Sequence, residues 1–180
     1  MALLDEILEA NRRAESDVQP DPGSYVAARH LCIVTCVDPR LTHFFGSKLG
    51  VERGHAVVVR VPGAHLPKGS EMLRALAAAI YVNDCQEVLV LPHTDCGVAR
   101  VTEGELKRVM KARGVLGEDI PEDAAAFFGL VKDAREAALE SVEAIRSAPF
   151  LPRLPVHCAM MDIRSGALSL VERGYEAVYR

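Results

Sequence analysis

The chain has 180 residues, 49% hydrophobic and 26% charged, which fits one globular domain over residues 1–180 and excludes a disordered chain. A net charge of −4 with no long Lys/Arg run argues against nucleic acid or an anionic membrane surface as partner. No apolar run approaches the roughly 20 residues that span a bilayer, and five cysteines in apolar segments do not suggest a secreted disulfide framework. The acidic start, Met1-Ala2-Leu3-Leu4-Asp5-Glu6, lacks the features of a signal peptide, so the expected location is cytoplasmic.

Leu3, Leu4, Ile7 and Leu8 recur at helical spacing and predict an amphipathic helix over 3–14. The run from Ser16 to Ser24, with Pro20, Pro22 and Gly23, reads as a connector, making residues 1–24 a helical arm and linker. A buried strand is expected at about 30–36, then a short helix at 41–49. A second strand covers His55 to Arg60. Pro62-Gly63 and Pro67-Lys68-Gly69 mark a loop before an Ala-rich helix at about 69–83, and a third strand covers about 86–92. Helix follows over 102–113 and 122–147, broken by Gly114, Gly117 and Pro121. Val156 to Ile163 and Ala167 to Val171, joined through Arg164-Ser165-Gly166, read as a hairpin at a sheet edge. The fold class is therefore α/β: a central, mainly parallel sheet with an antiparallel edge strand, flanked by helices.

Two short runs carry chemistry: Cys36-Val37-Asp38-Pro39-Arg40 after the first strand, and His93-Thr94-Asp95-Cys96-Gly97 after the third. In a parallel sheet, ligands bind beyond the carboxyl ends of the strands, where both runs fall. Cys36, His93 and Cys96 form a soft N/S ligand set, and three protein ligands are the pattern of a catalytic zinc with one open position. Two thiolates and a neutral imidazole leave the Zn2+ with no net charge and weaken it as a Lewis acid. A carboxylate that orients the nucleophile then becomes useful, and Asp38 can fill that role. Arg40, whose planar fork suits a carboxylate, can hold Asp38 away from the metal. Gly97 allows close approach of a substrate oxygen to the main chain.

Taken singly, each residue has a blander reading: buried Cys or His is usually packing, and Asp-x-Arg is usually a surface ion pair. The conjunction of two runs on one sheet edge is what carries weight. A closed structural site would need a fourth ligand, for which Cys32 is the candidate, but Cys32 is expected to point into the core. Cys85 and Cys158 read as core residues, and His43, His55, His65 and His157 as structural or surface groups. Asp95 either orients His93, caps the turn or faces solvent.

At these residues the chain resembles the β-class carbonic anhydrases. Their first signature, Cys-x-Asp-x-Arg, is matched by Cys36, Asp38 and Arg40, and their second, His-x-x-Cys-Gly, by His93, Cys96 and Gly97. The segment from Val156 to Leu168 is similar to the family's closing strand pair. The resemblance spans roughly residues 25–175 and is strongest to the compact prokaryotic branch. It implies zinc on Cys36, His93 and Cys96, an Asp38–Arg40 dyad, and reversible hydration of CO2 to bicarbonate and a proton. It also implies a homodimer or homotetramer, with the N-terminal helix laid across a neighbour; the apolar stripe is equally compatible with folding back.

The chain departs from the family in one loop. Arg60-Val61-Pro62-Gly63-Ala64 stands where Arg-Asn-Ala-Gly is usual, so an amide side chain and a backbone donor are lost. Pro92 likewise precedes His93 where Gly is common. This keeps open two alternatives. One is hydrolysis of carbonyl sulfide or carbon disulfide at the same site, and the other is a non-catalytic zinc-binding homologue. The latter gains weight if Asp38 occupies the metal or loop 60–64 plugs the pocket.

Overall fold

The computed structural model describes residues 3–14 and 23–177, so most of the predicted connector lies outside the described residues. Helix α1 (Leu3–Ala14) comes first, followed by β1 (Leu31–Cys36), α2 (Phe44–Ser47), β2 (Ala56–Val61) and α3 (Leu73–Tyr81). Then come β3 (Glu87–Leu91), α4 (Glu103–Ala112), α5 (Ala124–Phe128), α6 (Ala134–Arg146), β4 (Val156–Met161) and β5 (Leu168–Glu172). The sheet order is β2-β1-β3-β4-β5. The first four strands are parallel and β5 is antiparallel to β4. The α/β sheet with an antiparallel edge is the architecture expected from the sequence.

Both faces of the sheet are covered, which is why the parallel strands read as continuous apolar runs. On one face Cys32, Val34, Val88 and Val90 pack with Leu76 of α3 and Val142 and Ile145 of α6. On the other, Ile33, Leu91 and Met161 pack with Leu41, Phe44 and Phe45. Strand β1 lies between β2 and β3, so the chain leaves it in one direction first and the other next. This reversal opens a crevice at the carboxyl ends of β1 and β3, where Cys36 pairs with Val61 and Thr35 with Leu91. The buried Thr35 hydroxyl donates to the Leu91 carbonyl at 2.7 Å, fastening the two ends together.

Several elements are shorter than predicted. The helix expected over 41–49 is a 3₁₀ turn at Pro39–Leu41 followed by the single turn of α2, which stops where Lys48 leaves helical geometry at φ −120°. The stretch expected as helix over 122–147 divides into α5 and α6. Gly129 caps α5 in the left-handed conformation, and the Asp133 carboxylate accepts from the N–H groups of Arg135 and Glu136 to start α6, a normal pairing of stop and start signals. The stripe of α1 does not fold back: Leu3, Leu4, Ile7 and Leu8 are all exposed. No helix among the described residues is long and apolar enough to cross a membrane.

One buried polar group ties this frame to the site. Ser141 of α6 is fully buried, and its hydroxyl accepts from Leu66 N–H at 2.8 Å while facing the Ala137 and Ala64 carbonyls at 2.8 and 3.1 Å. It pins the loop that follows β2. Ser141→Ala strips the Leu66 N–H and Ala64 carbonyl of their partner in a dry interior, where each orphaned group costs about 1–3 kcal/mol. A loss of that size in chemical denaturation is expected; an unchanged midpoint would show that the loop finds other partners.

Candidate metal centre

The ends of β1 and β3 bring Cys36, His93 and Cys96 together, with all three donor atoms within 4.8 Å of one another. All three residues are buried, His93 to 1% exposure. The two sulfurs are 3.7 Å apart. Zinc–sulfur bonds of about 2.3 Å at a tetrahedral angle place two thiolates about 3.8 Å apart, so the spacing suits that ion. The His93 Nδ1 N–H donates to the Thr94 carbonyl at 2.8 Å, which leaves Nε2 as the basic nitrogen. Nε2 is buried without a hydrogen-bond partner. An orphaned imidazole nitrogen beside two thiols is costly in a bare protein and is satisfied by a cation.

The sulfurs are electrostatically prepared as well. The Cys96 thiol is the strongest influence lowering the Cys36 pKa; burial opposes it, and His93 and the N–H groups of Asp38 and Gly63 assist. The same contact, with burial, raises Cys96. Such a pair holds one proton between two sulfurs, in the place a divalent cation would take. Cys32 is fully buried and outside the trio, and burial raises its thiol to about 12. It is a core residue and no fourth ligand, as expected. Cys85 and Cys158 are buried free thiols too.

Asp38 stands beside the trio, its Oδ2 3.7 Å from His93 Nε2, yet it is not one of the mutually close donor atoms. Its carboxylate is only 10% exposed and is gripped by Arg40. Nε lies 3.0 Å from Oδ1 and Nη2 2.7 Å from Oδ2, and the Arg40 backbone N–H adds 3.0 Å to Oδ1. The Arg40 side chain is the main cause that holds the Asp38 carboxyl down to about 2, so Asp38 is ionised at any working pH. Pro39 opens the 3₁₀ turn that folds Arg40 back onto Asp38.

Asp95 neither orients His93 nor caps the turn, contrary to two of the readings from sequence. Thr94 supplies the carbonyl for His93, and Asp95 faces Arg40 and Arg100. Arg60, which opens the divergent loop noted in the sequence, also reaches the site. Its guanidinium reaches the Asp38 carbonyl at 3.5 Å and donates to Thr42 Oγ1 at 3.1 Å, so β2 helps fix the 38–42 segment. Asp95 and Arg60 join the site only through the fold, since their partners lie 55 and 22 positions away.

The unusual loop is accommodated without plugging the site. Pro62 starts a 3₁₀ turn just beyond β2, where its missing N–H is not needed. Gly63 has φ 62° and would place a Cβ 3.1 Å from Val131, so glycine is strongly favoured there. Its N–H, with that of Asp38, helps lower the Cys36 thiol pKa. A cavity of ≈340 Å³ adjoins the trio, walled by Val37, Pro62, Val98, Leu106, Phe128 and Leu130. Gly97 lies on its edge, and a Cβ there would meet nothing within 4 Å, so the space above it is free. Apart from Cys36, Asp38 is the only ionisable residue in the lining.

An α/β domain with a Cys2His trio at the switch point of its parallel strands defines the class of open-site zinc proteins. A family model described as carbonic anhydrase matches residues 31–168, and the chain belongs to that family, in its β class. YvdA of Bacillus subtilis (strain 168), named provisionally as a carbonic anhydrase, is 32% identical over 189 residues, covering 98% of this chain and 94% of the relative. A carbon disulfide hydrolase of Acidianus sp. (strain A1-3) is 25% identical over 143 residues, 69% of this chain and 68% of the relative. Among solved structures, the β-carbonic anhydrase isoform I of Trichomonas vaginalis matches with a TM-score of 0.90 and 28% identity, over 97% of this chain and 100% of that one. Zinc is accordingly the cofactor that the trio fits.

Proposed function

We propose that this protein catalyses the reversible hydration of CO2 to bicarbonate and a proton, with Cys36, His93 and Cys96 holding zinc. The observation that carries this reading is the ionised Asp38, held by Arg40 beside the trio and at the mouth of an apolar cavity. Zinc, when bound, acidifies a water so that a nucleophile is available near neutral pH. The residues of this chain do the rest. The apolar walls accept a linear, nonpolar substrate. Asp38, unable to donate, would accept a hydrogen bond from the nucleophile, which keeps its hydrogen, and so aim a lone pair into the cavity. The free space over Gly97 leaves room for a substrate oxygen at the main chain. Bicarbonate is an anion in an apolar enclosure beside a carboxylate, which favours its release, and the proton leaves to solvent.

The same lining favours a second reading, hydrolysis of carbonyl sulfide or carbon disulfide, because these linear electrophiles are less polar in their bonding than CO2. Stopped-flow CO2 hydration on the zinc-loaded chain, with sulfide release from both sulfur substrates measured in parallel, separates the two. The expected result is CO2 hydration proportional to protein with little sulfide. Faster sulfide release would favour the second reading, and no acceleration of any substrate would leave a non-catalytic homologue. A homodimer or homotetramer is supported by the exposed apolar stripe of α1, and a cytoplasmic setting by five free cysteines.

A further inference from the structure

Among the described residues, the hydrogen bonds that hold the Asp38 carboxylate come from Arg40, yet the Arg40 side chain is 47% exposed. With its guanidinium this exposed, Arg40 alone is a loose restraint, since a long side chain sacrifices rotamer freedom to hold one geometry. Here the far side of the guanidinium is also occupied. Nη1 donates to Asp95 Oδ2 at 3.1 Å, and Nη2 donates to the Asp95 carbonyl oxygen at 2.9 Å. Asp95 presents both acceptors because its backbone is left-handed, φ 57°, a conformation Asp tolerates better than most residues. Its other carboxylate oxygen is paired with Arg100, so the carboxylate is itself oriented. The chain Asp38–Arg40–Asp95–Arg100 alternates in charge and links the loop after β1 to the loop after β3. Asp95 also lies between two members of the trio, so it moves with the metal ligands.

We propose that Asp95 is a positioning residue that fixes the plane of the Arg40 guanidinium and thereby sets where the Asp38 carboxylate stands relative to the trio. The inference rests on the hydratase reading for its kinetic consequence, but the geometry it predicts does not. With Asp95 in place, Arg40 cannot rotate its Nε/Nη2 edge away from Asp38 without breaking two contacts on its other edge. Without it, Arg40 can swing to solvent and Asp38 can leave its position, including toward the metal.

The test is a double-mutant cycle on the full chain, with Asp95→Ala, Asp38→Ala and the double variant, each loaded with zinc or with cobalt. Asp95→Ala is expected to keep about one zinc per chain and to lower kcat by about tenfold or more, with KM for CO2 little changed. It should also alter the visible spectrum of the cobalt-loaded protein. Both effects should vanish when Asp38 is already Ala, because Asp95 acts through it. Asp95→Asn, which keeps the shape and one acceptor for Arg40, should recover part of the loss and serves if the Ala variant does not fold. Additive losses in the cycle, a parent-like kcat and spectrum, or loss of metal from Asp95→Ala or Asp95→Asn would each overturn the proposal. Should the parent fail to hydrate CO2, the hydratase reading falls alone, since the cobalt spectra still decide what Asp95 does.

Discussion

His93→Ala is expected to purify almost free of zinc and to lose CO2 hydration entirely. The imidazole is the single neutral donor of the trio, and its ligating nitrogen is fixed by a 2.8 Å contact through its other nitrogen to the Thr94 carbonyl. Removing it leaves two thiols 3.7 Å apart with no third donor among the described residues close enough to both. Two-coordinate sites do not retain zinc against ordinary competition, and removing any member of a three-ligand catalytic set discards most of the binding energy. Cys36→Ala should behave alike, since Cys36 also anchors the cavity wall. Elemental analysis beside the stopped-flow rate checks both. A His93→Ala protein with about one zinc per chain would place the metal elsewhere.

The parts of this site that sequence reveals are those that depend on spacing along one segment. Cys36, Asp38 and Arg40 lie within five residues, and a proline between the last two turns the arginine back; His93, Cys96 and Gly97 lie within another five. That both segments fall at the carboxyl ends of parallel strands follows from the apolar runs before them; that those strands are neighbours, with Thr35 opposite Leu91, comes from the fold. What sequence could not reveal are side chains that reach across. Asp95 contacts a residue 55 positions away, and Arg60 meets one 22 positions away. Nor could periodicity separate α5 from α6, because Gly129 ends the first only by adopting a left-handed conformation that nothing in an alanine-rich run demands. The Val61-Pro62 substitution looked disruptive for the same reason. Seen on the strand alone, Pro62 removes a donor, but in the fold it stands one residue past the ladder, at the start of a 3₁₀ turn.

Asp38→Asn is expected to keep zinc and lose about 10²- to 10⁴-fold in kcat, the range typical of a positioned acid–base group. The change is nearly isosteric, so the cavity and the trio remain. What changes is the hydrogen-bonding sense. The carboxylate can only accept, and Arg40 meets both of its oxygens. An amide beside that guanidinium turns its oxygen toward Arg40, which leaves its NH2 facing the trio, where it donates and holds the nucleophile in the wrong orientation. A hundredfold loss corresponds to about 2.7 kcal/mol of barrier, whereas the amide oxygen keeps a hydrogen bond from the half-exposed Arg40 and little folding energy is lost. The variant should therefore unfold near the parent temperature while losing activity. Zinc content, thermal unfolding and kcat measured on one preparation test all three statements. An Asp38→Asn protein within a few-fold of the parent kcat would leave the carboxylate a structural partner of Arg40, and orientation of the nucleophile would then fall to the main chain around Gly97.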